Sequence, residues 1–410
     1  MNRRAAVLAF LLSAFPLTAR AETDPNPARL APTAEQAERA KELVGKLGDP
    51  VFRVRDDATR ELRKLGRAAL PALDETLQST ADPEVRNRCE TLMPAIEEAD
   101  LKARLECFLA DTDRKYEHKL RFWPEFSKVT GDSTGARELF ADILRSKVNR
   151  ELVLSLDESK ADLEKAVLAR RMVLYNSIYR AVNGVRTPPR PADVFALLFV
   201  ESRVTVTNRS YQYVIQNLLN QSPIREALTG DAGEPARRLL THWMDSRTQY
   251  LDVYQAMQLA GSLNIKEIPV GKYAMKVLEN AQSPTLYKMY ALTTSARTMG
   301  KDALPILAKG MDDKTTHNVT WFFNGERTQH AIQIRDIALT MSLLVTDQKI
   351  DDYGIEQRNR TTGLNISEAA KFNYMYYAFP NEKARAAAFE KFRAWEAKQK
   401  PVKDSKGPGK

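Results

Sequence analysis

The sequence predicts an all-α protein of stacked helical hairpins, and three observations favour this class. The chain of 410 residues has only 17 glycines, too few for the many turns of an all-β protein. Apolar residues make up 43% of the chain, which excludes an intrinsically disordered protein and suffices for a packed core. Apolar positions recur at helical spacing, and a motif with this spacing appears more than once in the chain.

The repeated motif spans residues 49–77 and returns 234 positions later, over residues 283–311. A weaker third copy lies 36 residues before the second, near 250–276. A period in the high thirties, with a glycine between two apolar segments, is typical of helical-hairpin repeats. The positions that the two best copies share carry residues that start or end helices: Pro50 and Pro284, Gly66 and Gly300, Leu70-Pro71 and Leu304-Pro305.

Each unit is predicted to contain two helices. Gly66 is expected to end the first helix in a left-handed conformation, and Leu70-Pro71 to start the second. Neither helix can bury its apolar stripe alone, so units must stack. The stripe of the first helix runs through Val51, Val54, Ala58, Leu62 and Leu65. An N-cap acceptor precedes a proline at three predicted helix starts, in Asp49-Pro50, Asp82-Pro83 and Ser283-Pro284.

This pattern resembles the HEAT-type repeat. It is similar in particular to the HEAT-like units common in exported proteins of planctomycete bacteria. The resemblance covers about 49–98 and 283–311, with a degenerate copy near 250–276, and so well under half of the chain. It implies a scaffold without catalytic residues, because proteins with HEAT repeats are mostly binding platforms. The residues that carry it are Asp49-Pro50, Arg55, Ala58, Leu62, Leu65-Gly66, Ala69-Leu70-Pro71, Leu73 and Leu77.

The N-terminus is predicted to be a secretory signal peptide over residues 1–21. A short basic segment precedes an apolar run, and Ala19 and Ala21 are the small residues that signal peptidase reads. The alternative, a buried core helix, is disfavoured because the proline-containing segment 22–27 cannot continue a helix. We therefore expect a periplasmic or secreted protein. No later segment reaches about 18 consecutive apolar residues, so no membrane span is predicted.

The two cysteines bear on this location, since disulfides form in oxidising compartments. Cys89 lies on a helical apolar stripe and is interpreted as a core residue. Cys107 would lie about 27 Å away if one helix joined the two, which is far beyond disulfide reach. Pro94 could break that helix and fold it back, so a disulfide between Cys89 and Cys107 stays an open alternative.

Two helical domains are predicted between a disordered linker over 22–33 and a disordered basic tail over 398–410. The N-terminal HEAT-like repeats occupy 34–110, and a larger helical repeat domain occupies 113–397. A proline-rich connector over 184–191 interrupts the second domain. The tail has five lysines and one aspartate, and the leader has three arginines. Of the formal net charge of +9, the body between leader and tail therefore carries only +2.

The helical period stops over Lys314–His330, where a short non-helical aromatic loop is predicted. Trp321, Phe322 and Phe323 are consecutive, an Asn-Gly turn signal follows, and His317 and His330 flank them. One interpretation is a binding loop in which Trp321 stacks on a sugar, peptide or base. The other, which we prefer, is a plug between repeats, because three adjacent aromatic side chains are costly to leave in water.

A second aromatic cluster, over 372–379, contains Tyr374 and Tyr377. Its residues are interpreted as the packing seam of the last helices. The alternative is a ligand site in which the tyrosine hydroxyls are the polar groups.

Standard catalytic and metal-binding signatures are absent from the sequence, so no catalytic residue, metal ligand or cofactor is assigned. The four histidines form no i, i+4 pair, and the cysteines lack metal-ligand spacing. His118, close to Asp113 and Glu117, is interpreted as part of a solvated charged helix face. Carboxylates that meet only in the fold leave no local trace, so a periplasmic hydrolase is the alternative function.

We therefore expect an exported, non-catalytic binding or scaffold protein, with another exported protein or a cell-envelope polymer as partner. A pocket with two carboxylates about 5–10 Å apart would favour the hydrolase. The charge prompts a third hypothesis, binding of an anionic polymer by the basic tail. Nucleic acid is not favoured, because only the charge suggests it. No oligomeric state is predicted.

Overall fold

The computed structural model describes residues 24–180, 188–207, 213–263, 265, 267–323, 326–359 and 365–399. These residues are mostly helical, with a few strands in two small antiparallel sheets, so the predicted helical class is confirmed. One compact unit runs to Lys128 and includes Asp132–Arg145, and the other comprises Val129–Gly131 and the chain from Ser146. The domain boundary predicted at 110–113 thus lies inside the first unit. The signal-peptide prediction, with Ala19 and Ala21, lies outside the described residues.

Four helices of the N-terminal part pack as two layers. The helix α1 (Ala34–Gly45) packs on α2 (Phe52–Leu65) and α3 (Leu70–Ser79), and α4 (Pro83–Ala110) packs on the same two helices. Their apolar stripes meet in a core that contains Leu43, Leu62, Leu73, Cys89 and Leu92. Two further α-helices follow along the chain up to residue 145, α5 (Trp123–Thr130) and α6 (Thr134–Arg145).

The predicted helix starts differ in accuracy. Asp82 caps α4 as predicted, because its Oδ1 accepts a hydrogen bond from the Glu84 N–H at 2.8 Å and Pro83 lies in the first turn. The other two predictions are displaced, since α2 begins at Phe52 and the helix predicted at Pro284 begins at Thr285. Asp49 instead stabilises the preceding turn, where its Oδ1 accepts from the Val51 N–H at 2.8 Å.

The prediction of a disordered linker over 22–33 is wrong for residues 24–33. Pro27–Leu30 form a 3₁₀ turn, and the Asn26 side chain accepts a hydrogen bond from the Ala28 N–H at 2.9 Å. Asp24 and Arg29 form an ion pair across this turn, and Thr33 then caps α1. Local polar side chains therefore give this short segment a defined conformation.

The helix α4 continues through Pro94 for 28 residues. Cys89 and Cys107 both belong to it, both are buried, and both are free thiols. On one unbroken helix they lie about 27 Å apart, so the alternative of a Cys89–Cys107 disulfide is wrong.

The interpretation of His118 as part of a solvated helix face is also wrong. His118 lies in the loop after α4, is buried, and has its Nε2 3.0 Å from Asp111 Oδ2. Arg137 donates hydrogen bonds to the backbone oxygens of Phe108 and Asp111 and closes the same site. These contacts hold a loop in which three non-glycine residues have positive φ: Arg114, Lys119 and Phe122.

The chain from residue 146 continues with helices up to the aromatic segment. They are α7 (Lys147–Leu154), α8 (Lys160–Tyr179), α9 (Pro191–Glu201), α10 (Val214–Leu219), α11 (Ser222–Thr229), α12 (Glu234–Asp245), α13 (Tyr250–Leu263), α14 (Val270–Glu279), α15 (Thr285–Met299) and α16 (Leu304–Gly310). After them come β1 (Thr316–Phe323), β2 (Glu326–Gln333), α17 (Ile334–Val345), β3 (Glu356–Gln357), β4 (Tyr377–Ala378) and α18 (Glu382–Gln399).

Two predicted irregular segments are shorter than expected. Pro191 is the first residue of α9, so the connector predicted over 184–191 ends at Arg190, and its residues 184–187 lie outside the described residues. Lys398 and Gln399 belong to α18, so they are not part of a disordered tail. The remainder of the predicted tail, 400–410, lies outside the described residues.

Helices α13 to α16 form two successive hairpins. The first helices of the hairpins, α13 and α15, pack on each other, and so do the second helices, α14 and α16. The approach of α13 to α15 is close at Gly261, where a β-carbon would lie 2.5 Å from Thr294 Cγ2. Only glycine therefore allows this spacing.

Gly300 ends α15 in the same conformation in which Gly66 ends α2, with φ 56° and ψ −130°. The φ is positive, as predicted, but the ψ lies outside the left-handed helical region, because each glycine leads directly into a 3₁₀ turn.

Candidate functional site

The aromatic segment that the sequence singles out is a β-hairpin, not an irregular loop. The strand β1 pairs antiparallel with β2, with Thr316 opposite Gln333 and Phe323 opposite Glu326. Because side chains alternate between the faces of a strand, Val319 and Trp321 share a face with Ile332. This face is buried in the core of the second unit. The predicted Asn-Gly turn, at 324–325, lies outside the described residues.

Trp321 is a core residue, with only 4% of its surface exposed. Its indole Nε1 donates a hydrogen bond to the backbone oxygen of Met375 at 2.9 Å. Its ring lies 3.9 Å from the ring of His330, measured between centroids. Burial lowers the pKa of His330, which favours a neutral ring beside the tryptophan. This position of Trp321 is what the plug interpretation expects.

The side chain of Phe322 lies on the opposite face of the hairpin from that of Trp321. Its side chain is 61% exposed, on the face of the hairpin that also carries Arg327 and Gln329, both exposed. The three consecutive aromatic residues therefore do not act as a set, since one is buried and its neighbour is in solvent. Of Phe323 only the backbone is described, as the last residue of β1.

The hairpin is held in place by a buried ion pair at its base. Arg385 of α18 donates to Asp336 Oδ1 at 2.8 Å and to Oδ2 at 3.1 Å. Asp336 also accepts from the Gln333 N–H at 2.9 Å, at the junction of β2 and α17. Burial raises the pKa of Asp336 in spite of the guanidinium. The pair therefore fixes the end of β2 against the last helix.

Tyr374 and Tyr377 have different surroundings although they are close in sequence. The Tyr377 hydroxyl donates to the backbone oxygen of Lys371 at 2.7 Å, the residue is almost fully buried, and burial raises its pKa. Tyr377 is therefore part of the packing seam. Tyr374 is also buried, but its ring lies 5.9 Å from that of His317 and 5.5 Å from that of Tyr290, in both cases edge to face.

Tyr374 is the end of a continuous row of tyrosines, which we call the tyrosine row. Tyr254 of α13 and Tyr287 of α15 stack with their ring planes at 9° and their centroids 3.9 Å apart. Tyr290 lies 5.9 Å from Tyr254 and touches Tyr374, and Tyr250 lies 6.3 Å from Tyr287. The four tyrosines of α13 and α15 are half-buried, so each residue keeps part of its surface exposed.

The tyrosine row combines aromatic faces with hydrogen-bonding groups. Burial raises the pKa of Tyr254, and raises that of Tyr374 to about 12, so these hydroxyls stay protonated well above neutral pH. The side-chain Nε2 atom of Gln255, on the same helix as Tyr254, is buried and has no hydrogen-bond partner among the described residues. Such a surface suits a ligand with flat apolar faces and hydroxyl or amide groups, such as a sugar chain or a peptide.

Sequence reasoning identified Tyr374 and His317 but missed the other four members of this row. A local signal was present, because Tyr250 and Tyr254 are four residues apart and Tyr287 and Tyr290 are three apart, so each pair shares a helix face. The sequence could not predict the packing of α13 on α15, and this packing brings the two pairs together.

A buried charge cluster was also missed. Glu201, at the end of α9, is fully buried and accepts hydrogen bonds from Arg171 at 2.6 and 2.9 Å, from Arg247 at 3.1 Å and from Trp243 Nε1 at 3.0 Å. Burial opposes its ionisation, but the two guanidiniums outweigh this, and the pKa of Glu201 is lowered. With every carboxylate contact made by protein groups, the cluster ties α8, α9 and α12 together.

The hydrolase alternative requires two carboxylates in one pocket. Glu98 and Glu106 both line a pocket of about 210 Å³, but eight residues of one helix place their backbones about 12 Å apart. Within the described ranges, no group of three or more His, Cys, Asp or Glu side chains is placed to hold a metal ion.

No protein family, curated protein or solved structure shows significant similarity to this chain. Among the residues that the structure describes, no helix combines the length and the apolar character needed to cross a membrane.

Proposed function

We propose that the chain is an exported, non-catalytic binding or scaffold protein built from HEAT-like helical hairpins, with the tyrosine row as its ligand surface. Its partner is a cell-envelope polymer or another exported protein. The proposal combines the predicted signal peptide, the HEAT-like motif similar to that of exported planctomycete proteins, and the aromatic surface.

The packing of the hairpins supports the scaffold part of this proposal. In an α-solenoid, each hairpin packs its first helix on the first helix of its neighbour and its second helix on the second. Helices α13 to α16 pack in this way. The shared conformation of Gly66 and Gly300 further supports the equivalence of the two best motif copies.

The tyrosine row is the observation that carries the binding part. It draws residues from the first helices of two successive hairpins, so a ligand on it would contact both. Binding across neighbouring units is the usual way in which solenoids build an extended surface. Half-exposed tyrosines offer large rigid contact areas with little conformational entropy to lose.

Affinity capture from the envelope fraction of the producing organism tests this function. The mature protein is compared with a Tyr254→Ser/Tyr287→Ser variant, and the retained material is identified by protein mass spectrometry and by glycan analysis. The matched control is Tyr179→Ser/Tyr213→Ser, which removes two exposed tyrosines outside the row. Thermal melting followed by circular dichroism measures the folded fraction of each protein.

We expect the wild type and the control to retain the same material and the row variant to lose it while still folded at the capture temperature. Equal retention by all three proteins would remove the tyrosine row from the proposal. Export is tested separately by N-terminal sequencing of the protein from its native host, where the mature chain should begin at Glu22. A mature chain that begins at Met1 would contradict export.

A further inference from the structure

We propose that a pocket between the turn at 348–353 and the helix α18 binds an anionic glycan chain. The pocket has a volume of about 400 Å³. It shares no residue with the tyrosine row, so this binding is independent of the proposed function. Its lining consists of Gln348, Lys349, Asp352, Tyr353, Lys391, Ala394, Trp395 and Lys398.

The lining has an excess of positive charge. Three lysines face one carboxylate, that of Asp352. Lys391 is held within the wall, because its Nζ donates to the backbone oxygen of Asp352 at 2.7 Å and lies 4.6 Å from the centre of the Tyr353 ring. Lys349 and Lys398 form no ion pair with any described residue. Their ammonium groups are therefore available to an anion from outside.

Trp395 gives the pocket a second property. Its ring is half-buried and stacks on Phe392, with the centroids 5.4 Å apart, so its orientation is fixed. A rigid indole face beside two available ammonium groups fits a ring that has an apolar face and carries a negative charge. A sugar with a carboxylate group has this combination, whereas a linear inorganic polyanion has only the charge.

The sequence that follows the pocket extends the positive charge. Lys398 is followed by a segment, 399–410, that has four lysines and one aspartate. These lysines attract polyanions whether or not the pocket binds one, so the test below removes their charge.

The test uses the full mature chain with its four tail lysines, at 400, 403, 406 and 410, changed to glutamine, so that binding reports on the body. Affinities for polygalacturonate, polyphosphate, single-stranded DNA and neutral dextran are measured at low and at moderate salt. The variants are Lys349→Gln/Lys398→Gln and, separately, Trp395→Leu. The matched control is Lys383→Gln/Arg393→Gln, on the same helix but outside the pocket lining.

We expect the lysine variant to bind polygalacturonate about tenfold more weakly than the control, with a smaller dependence on salt. Trp395→Leu should weaken the binding of polygalacturonate but not that of polyphosphate. Unchanged affinity in the lysine variant would overturn the site, and it does so even if Trp395→Leu fails to fold, because both lysines are exposed. Tighter binding of polyphosphate or DNA than of polygalacturonate would overturn the glycan class.

Discussion

Gly66 and Gly300 lie 234 residues apart in the sequence and adopt one backbone conformation, with φ 56° and ψ −130°. The Gly66 N–H donates to the Leu62 carbonyl and the Gly300 N–H to the Ala296 carbonyl, in each case four residues back. In each of the two segments a 3₁₀ turn follows, and it leads into a helix with a proline in its first turn. The residues that the two segments share are thus those that form this connection between two helices.

Replacing Gly66 or Gly300 by alanine should destabilise the protein. A β-carbon would meet no neighbour at these positions, so the cost comes from the positive φ, and we expect each substitution to lower the free energy of unfolding by about 1–3 kcal/mol. Urea denaturation measures it. Gly45→Ala is the control, because Gly45 is exposed, helical and uncrowded, and alanine there should be neutral or stabilising. Equal effects at all three sites would contradict this explanation.

The hairpin allows the plug and site interpretations to be separated residue by residue. Trp321→Ala should lower the free energy of unfolding by about 3–5 kcal/mol, because it leaves a cavity in the core and removes the hydrogen bond to Met375. Phe322→Ala should change it by less than about 0.5 kcal/mol, because the ring is in solvent. Denaturant unfolding of both variants is the measurement. Comparable losses of stability would be incompatible with the opposite burial of the two rings.

Glu201 is expected to be among the most sensitive buried positions of the second unit. Glu201→Ala leaves the guanidiniums of Arg171 and Arg247 without their anion, and we expect a loss of about 3–5 kcal/mol in the free energy of unfolding. Glu279→Ala, an exposed glutamate on α14, is the control and should be nearly neutral. A tolerated Glu201→Ala would mean that the cluster is solvated in the folded protein.

The same carboxylate gives a pH dependence with a defined sign. The pKa of Glu201 is lowered in the folded state from its ordinary 4.5, so its ionised form stabilises the fold. This contribution is present above the pKa of the unfolded chain and is lost as the pH falls below it. The difference in stability between wild type and Glu201→Gln should therefore shrink on acidification from about pH 7 to about pH 3. A difference that grows on acidification would contradict the assignment.

The cysteines should remain thiols even in protein recovered from an oxidising compartment. Burial raises the pKa of both, which further slows their reaction. We expect native protein to resist iodoacetamide and the unfolded, unreduced chain to incorporate two equivalents, as mass spectrometry can show. Incorporation of none after unfolding would indicate a disulfide and a broken α4.

Most of the helical framework was predictable, because apolar periodicity and caps such as Asp82 act locally. The hairpin was not, although Val319, Trp321 and Ile332 carry the alternation of a half-buried strand. Strand preference depends on what covers the strand, and here the cover comes from distant segments such as Met375. His118 was misassigned for a related reason, since its partner Asp111 is local but its burial depends on Phe108 and Arg137.

The candidate site was predictable only in part. Tyr374 and His317 were found because they belong to visible aromatic clusters in the sequence. Tyr254 and Tyr287 belong to successive hairpins of the chain. Nothing in the local sequence indicates that their rings stack. Their relation exists only once α13 and α15 are packed together.

That packing depends on a residue that lies outside the tyrosine row. Gly261 sets how near α13 comes to α15 at Thr294, and the stacked rings of Tyr254 and Tyr287 lie on the same two helices. One added methyl group at residue 261 would require Thr294 or its helix to shift, without altering either tyrosine. If the tyrosine row binds a ligand as proposed, a change at this spacer would alter ligand preference while every tyrosine of the row stayed the same.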